Sequence, residues 1–129
     1  MNDILTPIAP GELLDKLTIL EIKLERIVDA EKLANVRVEF DALSAVADAH
    51  VPERDDITAL HAALKAVNEE LWVIEDDIRD CERAKDFGDT FVRLARAVYV
   101  TNDKRAALKK EINVALGSSL VEEKSYSAY

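Results

Sequence analysis

The feature that most constrains the fold is an apolar seam between Ile57 and Cys81. Its members recur at alternating spacings of three and four residues, which places them on one face of a helix in the coiled-coil pattern. An apolar helix face is unstable in water unless another element buries it. The seam therefore predicts a long helix, from Asp55 or Asp56 to Ala84, inside a helical bundle. The seam residues are Ile57, Leu60, Leu64, Val67, Leu71, Ile74, Ile78 and Cys81.

Three further segments repeat this spacing and predict helices over residues 11–28, 30–49 and 90–116. The apolar pattern changes phase at Asp29, a candidate N-cap, so residues 11–49 form either one kinked helix or two. Gly88 is predicted to take the left-handed conformation in the turn before the last helix, and Gly117 to cap the end of that helix.

The low content of turn-forming residues also favours a few long elements. The 129 residues include only three Gly and three Pro. We therefore expect an all-α fold, an antiparallel bundle of three to four long helices in a single domain over residues 1–129. Residues 1–10 are predicted to form an extended leader, and residues 118–129 a short ordered C-terminal tail.

Charge and apolar content limit the function classes. The chain has 17 Lys and Arg against 26 Asp and Glu, a net charge of −9. This acidity argues against binding to nucleic acid or to an anionic membrane surface, since both require a basic face. No apolar run approaches the ~20 residues that span a bilayer, and no secretory signal is recognisable. We therefore expect a cytoplasmic protein, with Cys81 as a buried thiol on the seam.

Metal-binding patterns are weak in this sequence. The two histidines, His50 and His61, lie eleven positions apart and match no zinc-ligand spacing. The carboxylates between Glu69 and Asp80 are interpreted as a solvated helix face, with magnesium binding as the alternative. The sequence thus predicts no metal site and no cofactor.

Polar residues interrupt or flank the seams of the last two helices. Thr101 and Arg105 occupy seam positions on the last helix, and a guanidinium on a core face is costly unless it is paired. Glu75, on a stripe beside the long seam, is the expected partner of Arg105, with Asp76 as the lesser option. The pair would either fix the register of the bundle or border a polar pocket that binds a small anion.

Lysines on the first helix extend this hypothesis. Lys16 and Lys23 lie two turns apart and would contribute to the anion pocket, or would form ion pairs with Glu12, Glu21 and Glu25 of their own helix. The residues proposed for the pocket are Lys16, Lys23, Asn68, Glu75, Arg79, Tyr99, Asn102 and Arg105.

Two strings carry a resemblance to a known family. They are P-G-E-L-L-D-K-L-T-I-L-E-I-K, starting at Pro10, and L-V-E-E-K-S-Y, starting at Leu120. With shorter matches in between, the chain resembles a family of small bacterial all-helical proteins known as a domain of unknown function. The resemblance implies that the tail belongs to the folded unit and that polar residues within these strings form any site the family has. It implies no activity.

Two hypotheses for the function follow. The first is a non-catalytic protein-interaction or self-associating module, with a homodimer as one form of it, since the seams are long and no catalytic motif is recognisable. The alternative is a binding protein or small enzyme for an anionic metabolite, with a polar pocket between the third and fourth helices.

Overall fold

The protein consists of four helices and contains no strand. The computed structural model describes all 129 residues. The helices are α1 (Pro10–Arg26), α2 (Ala30–His50), α3 (Asp55–Ala84) and α4 (Asp89–Ala115). The all-α prediction is confirmed, and residues 11–49 form two helices. None of the helices combines the length and the apolar character needed to cross a membrane.

The break between α1 and α2 follows from local backbone geometry. Ile27 leaves the helical conformation and is extended, with φ −75° and ψ 136°. Asp29 then caps α2, because its side chain accepts a hydrogen bond from the Lys32 backbone N–H at 2.9 Å. Asp29 is thus the N-cap as predicted, and of the two alternatives for residues 11–49 the structure has two helices.

The centre of the fold is α1 rather than the long α3. α1 packs against all three other helices, whereas α2 lies next to α1 alone, and α3 and α4 form an antiparallel hairpin. α1 accordingly buries residues around most of its circumference: Gly11, Leu13, Leu14, Asp15, Leu17, Thr18, Leu20 and Ile22. It is therefore the element through which the other helices are positioned.

The core lies where α1 crosses the hairpin. Burying one large aliphatic side chain in such a cluster contributes roughly 1.5–3 kcal/mol before entropic costs. The α3 seam is buried at Ile57, Leu64, Val67 and Cys81 but only half-buried elsewhere, because α1, at about 25 Å, is much shorter than α3, at about 45 Å. The core cluster comprises Leu13, Leu14, Leu17, Ala47, Ile57, Leu64 and Ile112.

The turn between α3 and α4 differs from the prediction. Lys85, not Gly88, adopts the left-handed conformation, with φ 55°. The chain reverses directly at the end of α3, where the N–H groups of Lys85 and Asp86 donate back to carbonyls of the last turn. Gly88, with φ −80°, is instead the N-cap of α4. Gly117 has φ 64° and ends α4 as predicted.

The C-terminal tail runs back along α4. It has no regular secondary structure. Lys124 Nζ lies 2.7 Å from Asp103 Oδ1, and the Tyr129 hydroxyl donates to Asp103 Oδ2 at 2.6 Å. The rings of Tyr129 and Tyr99 meet edge to face at 5.1 Å. Asp103 is thus the main attachment point of the tail.

Candidate functional site

The most buried charged group of the protein is the Asp15 carboxylate on α1, whose residue is only 1% exposed. Arg105 on α4 binds it with two hydrogen bonds, Nε to Oδ1 at 2.9 Å and Nη2 to Oδ2 at 2.5 Å. A two-point pair of this kind fixes both the distance and the orientation of the guanidinium. Asp15 therefore sets the position of Arg105.

Two further side chains complete the environment of Asp15. Asn68 on α3 donates through Nδ2 to Asp15 Oδ1 at 2.9 Å and to Thr18 Oγ1 at 2.8 Å. The Thr18 hydroxyl donates to the Asp15 carbonyl oxygen at 2.8 Å. Burial by itself raises the pKa of Asp15, but the hydrogen bonds from Arg105 and Asn68, together with the positive charges of Arg105 and Lys109, hold that pKa below its ordinary value. Asp15 is consequently ionised at neutral pH.

The expected pairing of Arg105 with Glu75 is wrong. Glu75 lies on an exposed part of α3 and pairs with Arg79 of its own helix, at 3.3 Å. Arg105 faces α1 instead, because α1 lies between α2 and the hairpin and presents Asp15 to α4. Asp15 was not predicted as the partner because the pairing depends on how α1 docks. The residue patterns of α3 and α4 carry no information on that docking.

A second polar contact joins α1 and α4 one to two turns away. The Gly11 backbone N–H donates to Asn113 Oδ1 at 2.7 Å. Lys109 Nζ lies 2.6 Å from Glu12 Oε2 and 3.0 Å from Glu122 Oε2 of the tail. Burial lowers the pKa of Lys109, but its hydrogen bonds to the two glutamates outweigh this effect and raise the pKa above its usual value. Lys109 therefore links α1, α4 and the tail as a permanent cation.

A cleft of about 410 Å³ opens beside Arg105 between α1, α3 and α4. Its wall combines apolar residues, an indole, two amides, two guanidinium groups and two carboxylates. We call it the polar cleft. Its lining residues are Ile19, Ile22, Asn68, Leu71, Trp72, Glu75, Asp76, Arg79, Asn102 and Arg105.

The structure brings together most of the residues proposed from the sequence. Asn68, Glu75, Arg79, Asn102 and Arg105 all line the polar cleft. The cleft also receives α1 side chains, so it lies between three helices rather than only between α3 and α4.

The other three proposed residues lie elsewhere. Tyr99 lines a groove between α4 and the tail, of about 1430 Å³, which also borders Asn102 and Arg105. Lys16 is exposed and Lys23 is half-buried, and neither borders the polar cleft. A contribution of these two lysines to the cleft is therefore not supported by their positions.

The acids of α1 pair across helices rather than along their own helix. Glu12 binds Lys109 of α4, and Glu25 binds Lys65 of α3 at 2.5 Å. His61 of α3 lies 3.0 Å from Glu21, and this hydrogen bond is the main cause that lowers the pKa of Glu21. The expectation of ion pairs within α1 is wrong. Because α1 is surrounded by other helices, its acidic side chains pair with basic side chains of those helices instead of with the lysines of α1.

Sequence reasoning missed Asp15 and Thr18. Lys109 and Asn113 lie on the polar stripe beside the seam of the last helix, but they were not assigned to the pocket. Near the start of a predicted helix, an acid such as Asp15 is sufficiently accounted for by the helix dipole. A signal was present, however: leucines and isoleucines occur around most of α1, and a helix of that kind is buried. Its polar residues then need partners. No group of three or more His, Cys, Asp or Glu side chains is placed to hold a metal ion.

Comparison with known proteins agrees with the resemblance seen in the sequence. The model of a family described as a family of unknown function (DUF6165) matches residues 5–129. No curated protein and no solved structure matches the chain.

Proposed function

Because the chain belongs to the DUF6165 family, whose function is unknown, we propose a function from its geometry: the protein binds a small anionic metabolite in the polar cleft. One observation carries the proposal. Arg105 borders the cleft and is held in a fixed orientation by the buried Asp15 carboxylate. A preoriented guanidinium binds a carboxylate or phosphate with a smaller entropic cost than a mobile one.

The free hydrogen-bonding groups support this reading. Arg105 uses Nε and Nη2 for Asp15, and its Nη1 has a single contact within the chain, Asn102 Oδ1 at 3.4 Å. The second N–H of Nη1 and the N–H bonds of the Asn102 amide thus remain available to an acid group of a ligand.

The charges around the cleft define the ligand further. Asp15 neutralises Arg105, so a ligand anion also needs Arg79. The Arg79 side chain is 76% exposed and can exchange its contact with Glu75 for a contact with the ligand. Glu75 and Asp76 would then accept hydrogen bonds from hydroxyl or amino groups, which favours a small acid that also carries such donors. The volume of about 410 Å³ fits a small metabolite.

The proposal concerns binding and not a reaction. The buried Asp15 carboxylate and the buried Lys109 ammonium are both engaged in ion pairs. Neither is free to accept or donate a proton in a catalytic step.

Trp72 provides the experiment. It is the only tryptophan and lines the polar cleft, so its fluorescence reports on occupancy. We expect a saturable change on titration with at least one of inorganic phosphate, citrate and sugar phosphates. Arg79→Ala should weaken binding about tenfold. Arg83→Ala is the matched control, because Arg83 is also exposed and also paired along α3, with Asp80. No saturable response to any probe, or an equal loss in both variants, would contradict the proposal.

A non-catalytic interaction module is the second candidate. The observation that favours it is the exposure of three valines on the α3–α4 hairpin: 45% for Val73, 37% for Val100 and 73% for Val114. Isolated exposed valines are ordinary, but apolar residues that share one side of a hairpin can form an interaction surface. The oligomeric state of the purified protein tests this candidate.

A further inference from the structure

The α3–α4 hairpin has an uncovered apolar face on the side away from α1. Asn68 and Asn102 lie toward α1 and the polar cleft. Ala66 lies two positions before Asn68, and Val100 two positions before Asn102. On a helix, residues two positions apart point in directions that differ by about 160°, so Ala66 and Val100 lie on the opposite side of the hairpin. We call this side the hairpin face. It includes Ala59, Ala66 and Val73 on α3, and Val100, Ala107 and Val114 on α4, all of them exposed.

No other helix covers the hairpin face. α1 occupies the opposite side, through its contacts with Asn68, Arg105 and Lys109. α2 lies next to α1 alone. Ala107 and Val114 also line the groove between α4 and the C-terminal tail, yet both remain exposed, as do the other four residues of the face.

The apolar residues of the face lie at matching heights on the two helices. Val73 precedes the end of α3 by 11 residues, and Val100 follows the start of α4 by 11 residues. The same symmetry relates Ala66 to Ala107 and Ala59 to Val114. In an antiparallel hairpin with a short turn, residues equally far from the turn lie side by side. The face therefore consists of three apolar levels, one every two turns.

We propose that the hairpin face binds a second copy of this chain, with a two-fold axis parallel to the hairpin. α3 then packs antiparallel against α4 of the partner subunit, and each apolar level meets its own counterpart. Such an interface is self-complementary, as a two-fold dimer requires. The inference rests on the second candidate function and is independent of ligand binding in the polar cleft.

The charges on the hairpin face favour a second copy as the occupant. Asp80 lies at the same height as Arg93, and Glu70 within one residue of Lys104. In the two-fold arrangement, Asp80 faces Arg93 of the partner subunit and Glu70 faces Lys104 of the partner subunit. Within one chain, Glu70, Arg93 and Lys104 form no ion pair. Packing α3 against α3 would instead bring the acidic residues of both copies together.

The area of the hairpin face is sufficient for a dimer. From Ala59 to Asp80 it extends roughly 30 Å along the helices and roughly 20 Å across them. This corresponds to about 600 Å² per copy, at the lower end of specific protein interfaces. Alanine and valine side chains also allow helices to approach to about 8 Å.

Sedimentation velocity of the full chain tests the proposal. The wild-type protein should show a monomer–dimer equilibrium at sub-millimolar concentration. Val100→Asp should raise the dimer dissociation constant at least about tenfold. Val38→Asp is the matched control, because Val38 is 72% exposed on α2, outside the hairpin face, and it should leave the dissociation constant unchanged. A wild-type monomer throughout this range, or equal effects of the two substitutions, would overturn the proposal.

A charge exchange tests the arrangement of the subunits. Lys104→Glu should weaken the dimer, because it places two glutamates opposite each other, and Glu70→Lys combined with Lys104→Glu should restore it. Failure of the double variant to restore dimerisation would overturn the proposed axis. The anion titration followed by Trp72 fluorescence should be unchanged in Val100→Asp, since Val100 does not line the polar cleft. Failure of the dimer is thereby distinguished from failure of ligand binding.

Discussion

The Asp15 carboxylate and the Arg105 guanidinium are 90 positions apart in the chain and meet through two hydrogen bonds beside the polar cleft. Asp15 is almost completely buried, whereas the Arg105 side chain keeps 30% of its surface exposed. A shift of α1 along α4 by one turn would leave the buried carboxylate without its partner, which is costly. The pair therefore fixes the register of α1 on α4 and at the same time orients the guanidinium that the proposed ligand would contact.

Asp15→Asn should destabilise the protein. The variant removes the charge that compensates Arg105 while leaving the guanidinium partly buried, and we expect a loss of about 2–4 kcal/mol in the free energy of unfolding. Denaturant unfolding followed by circular dichroism measures this loss. Asp41→Asn is the control, since Asp41 is exposed and lies 4.0 Å from Arg37, and it should change stability by less than about 0.5 kcal/mol. Equal effects of the two variants would contradict a structural role for the Asp15 pair.

The Asp15 carboxylate should also make the free energy of unfolding depend on pH. The pKa of Asp15 in the folded protein lies below the ordinary value of 3.8, so the unfolded chain takes up a proton at this site before the folded one does. The stabilisation is present above pH 3.8 and is lost as the pH falls through 3.8 toward the folded value. Unfolding free energies measured from about pH 7 to about pH 3 should therefore fall more steeply for the wild type than for Asp15→Asn. Parallel curves below about pH 5 would contradict this assignment.

Gly11→Ala should weaken the packing of α1 against α4 and so destabilise the protein. A Cβ atom at Gly11 would lie 2.4 Å from the Lys109 carbonyl oxygen and 2.8 Å from Asn113 Oδ1. The carbonyl belongs to helix backbone and cannot move alone, so we expect a loss of about 1–3 kcal/mol. Gly88→Ala is the comparison, because its Cβ would meet only Asp86 Oδ1, at 3.3 Å. Thermal unfolding of the two variants measures the difference, and a Gly11→Ala protein as stable as Gly88→Ala would refute the close approach of the helices.

Asp103→Ala should release the C-terminal tail without unfolding the bundle. Asp103 accepts hydrogen bonds from both Lys124 and Tyr129, whereas Glu122 remains bound to Lys109. We expect faster tryptic cleavage after Lys124 and faster amide exchange in residues 123–129, with an unchanged midpoint of thermal unfolding. Asp48→Ala is the control, since Asp48 is exposed on α2 and far from the tail attachment, and it should leave both rates as in the wild type. Equal cleavage in the two variants would show that Asp103 does not hold the tail.

The helices were predictable because the sequence features that indicate them, apolar periodicity and capping residues, act over a few neighbouring residues. The first helix was predicted over residues 11–28 and is observed at Pro10–Arg26. The N-cap at Asp29 and the left-handed Gly117 also follow from residues within one turn. Gly88 was assigned the wrong role because either Lys85 or Gly88 can reverse the chain, and the choice depends on where the last turn of α3 finds its hydrogen bonds.

The candidate site was predictable only in part. Arg105 was proposed as a site residue because it interrupts the apolar seam of α4. Asn68, Glu75 and Arg79 were proposed because they form a polar stripe beside the seam of α3. Periodicity gives the face on which each residue lies, and five residues chosen in this way line one cleft. The partner of Arg105 was assigned wrongly because ion pairing between helices depends on their relative rotation and height, which periodicity leaves undetermined.

The sequence by itself determined the helical segments, their apolar faces and their approximate ends, since hydrophobic periodicity and capping act over a few residues. Whether residues 11–49 form one kinked helix or two was decided by the structure. The tertiary structure decided that α1 lies at the centre, that Asp15 rather than Glu75 pairs with Arg105, and that one side of the α3–α4 hairpin remains uncovered. Each of these outcomes depends on how the helices dock. Docking is governed by the fit of whole surfaces, and a buried charge such as Asp15 restricts it further, because leaving that charge unpaired is costly.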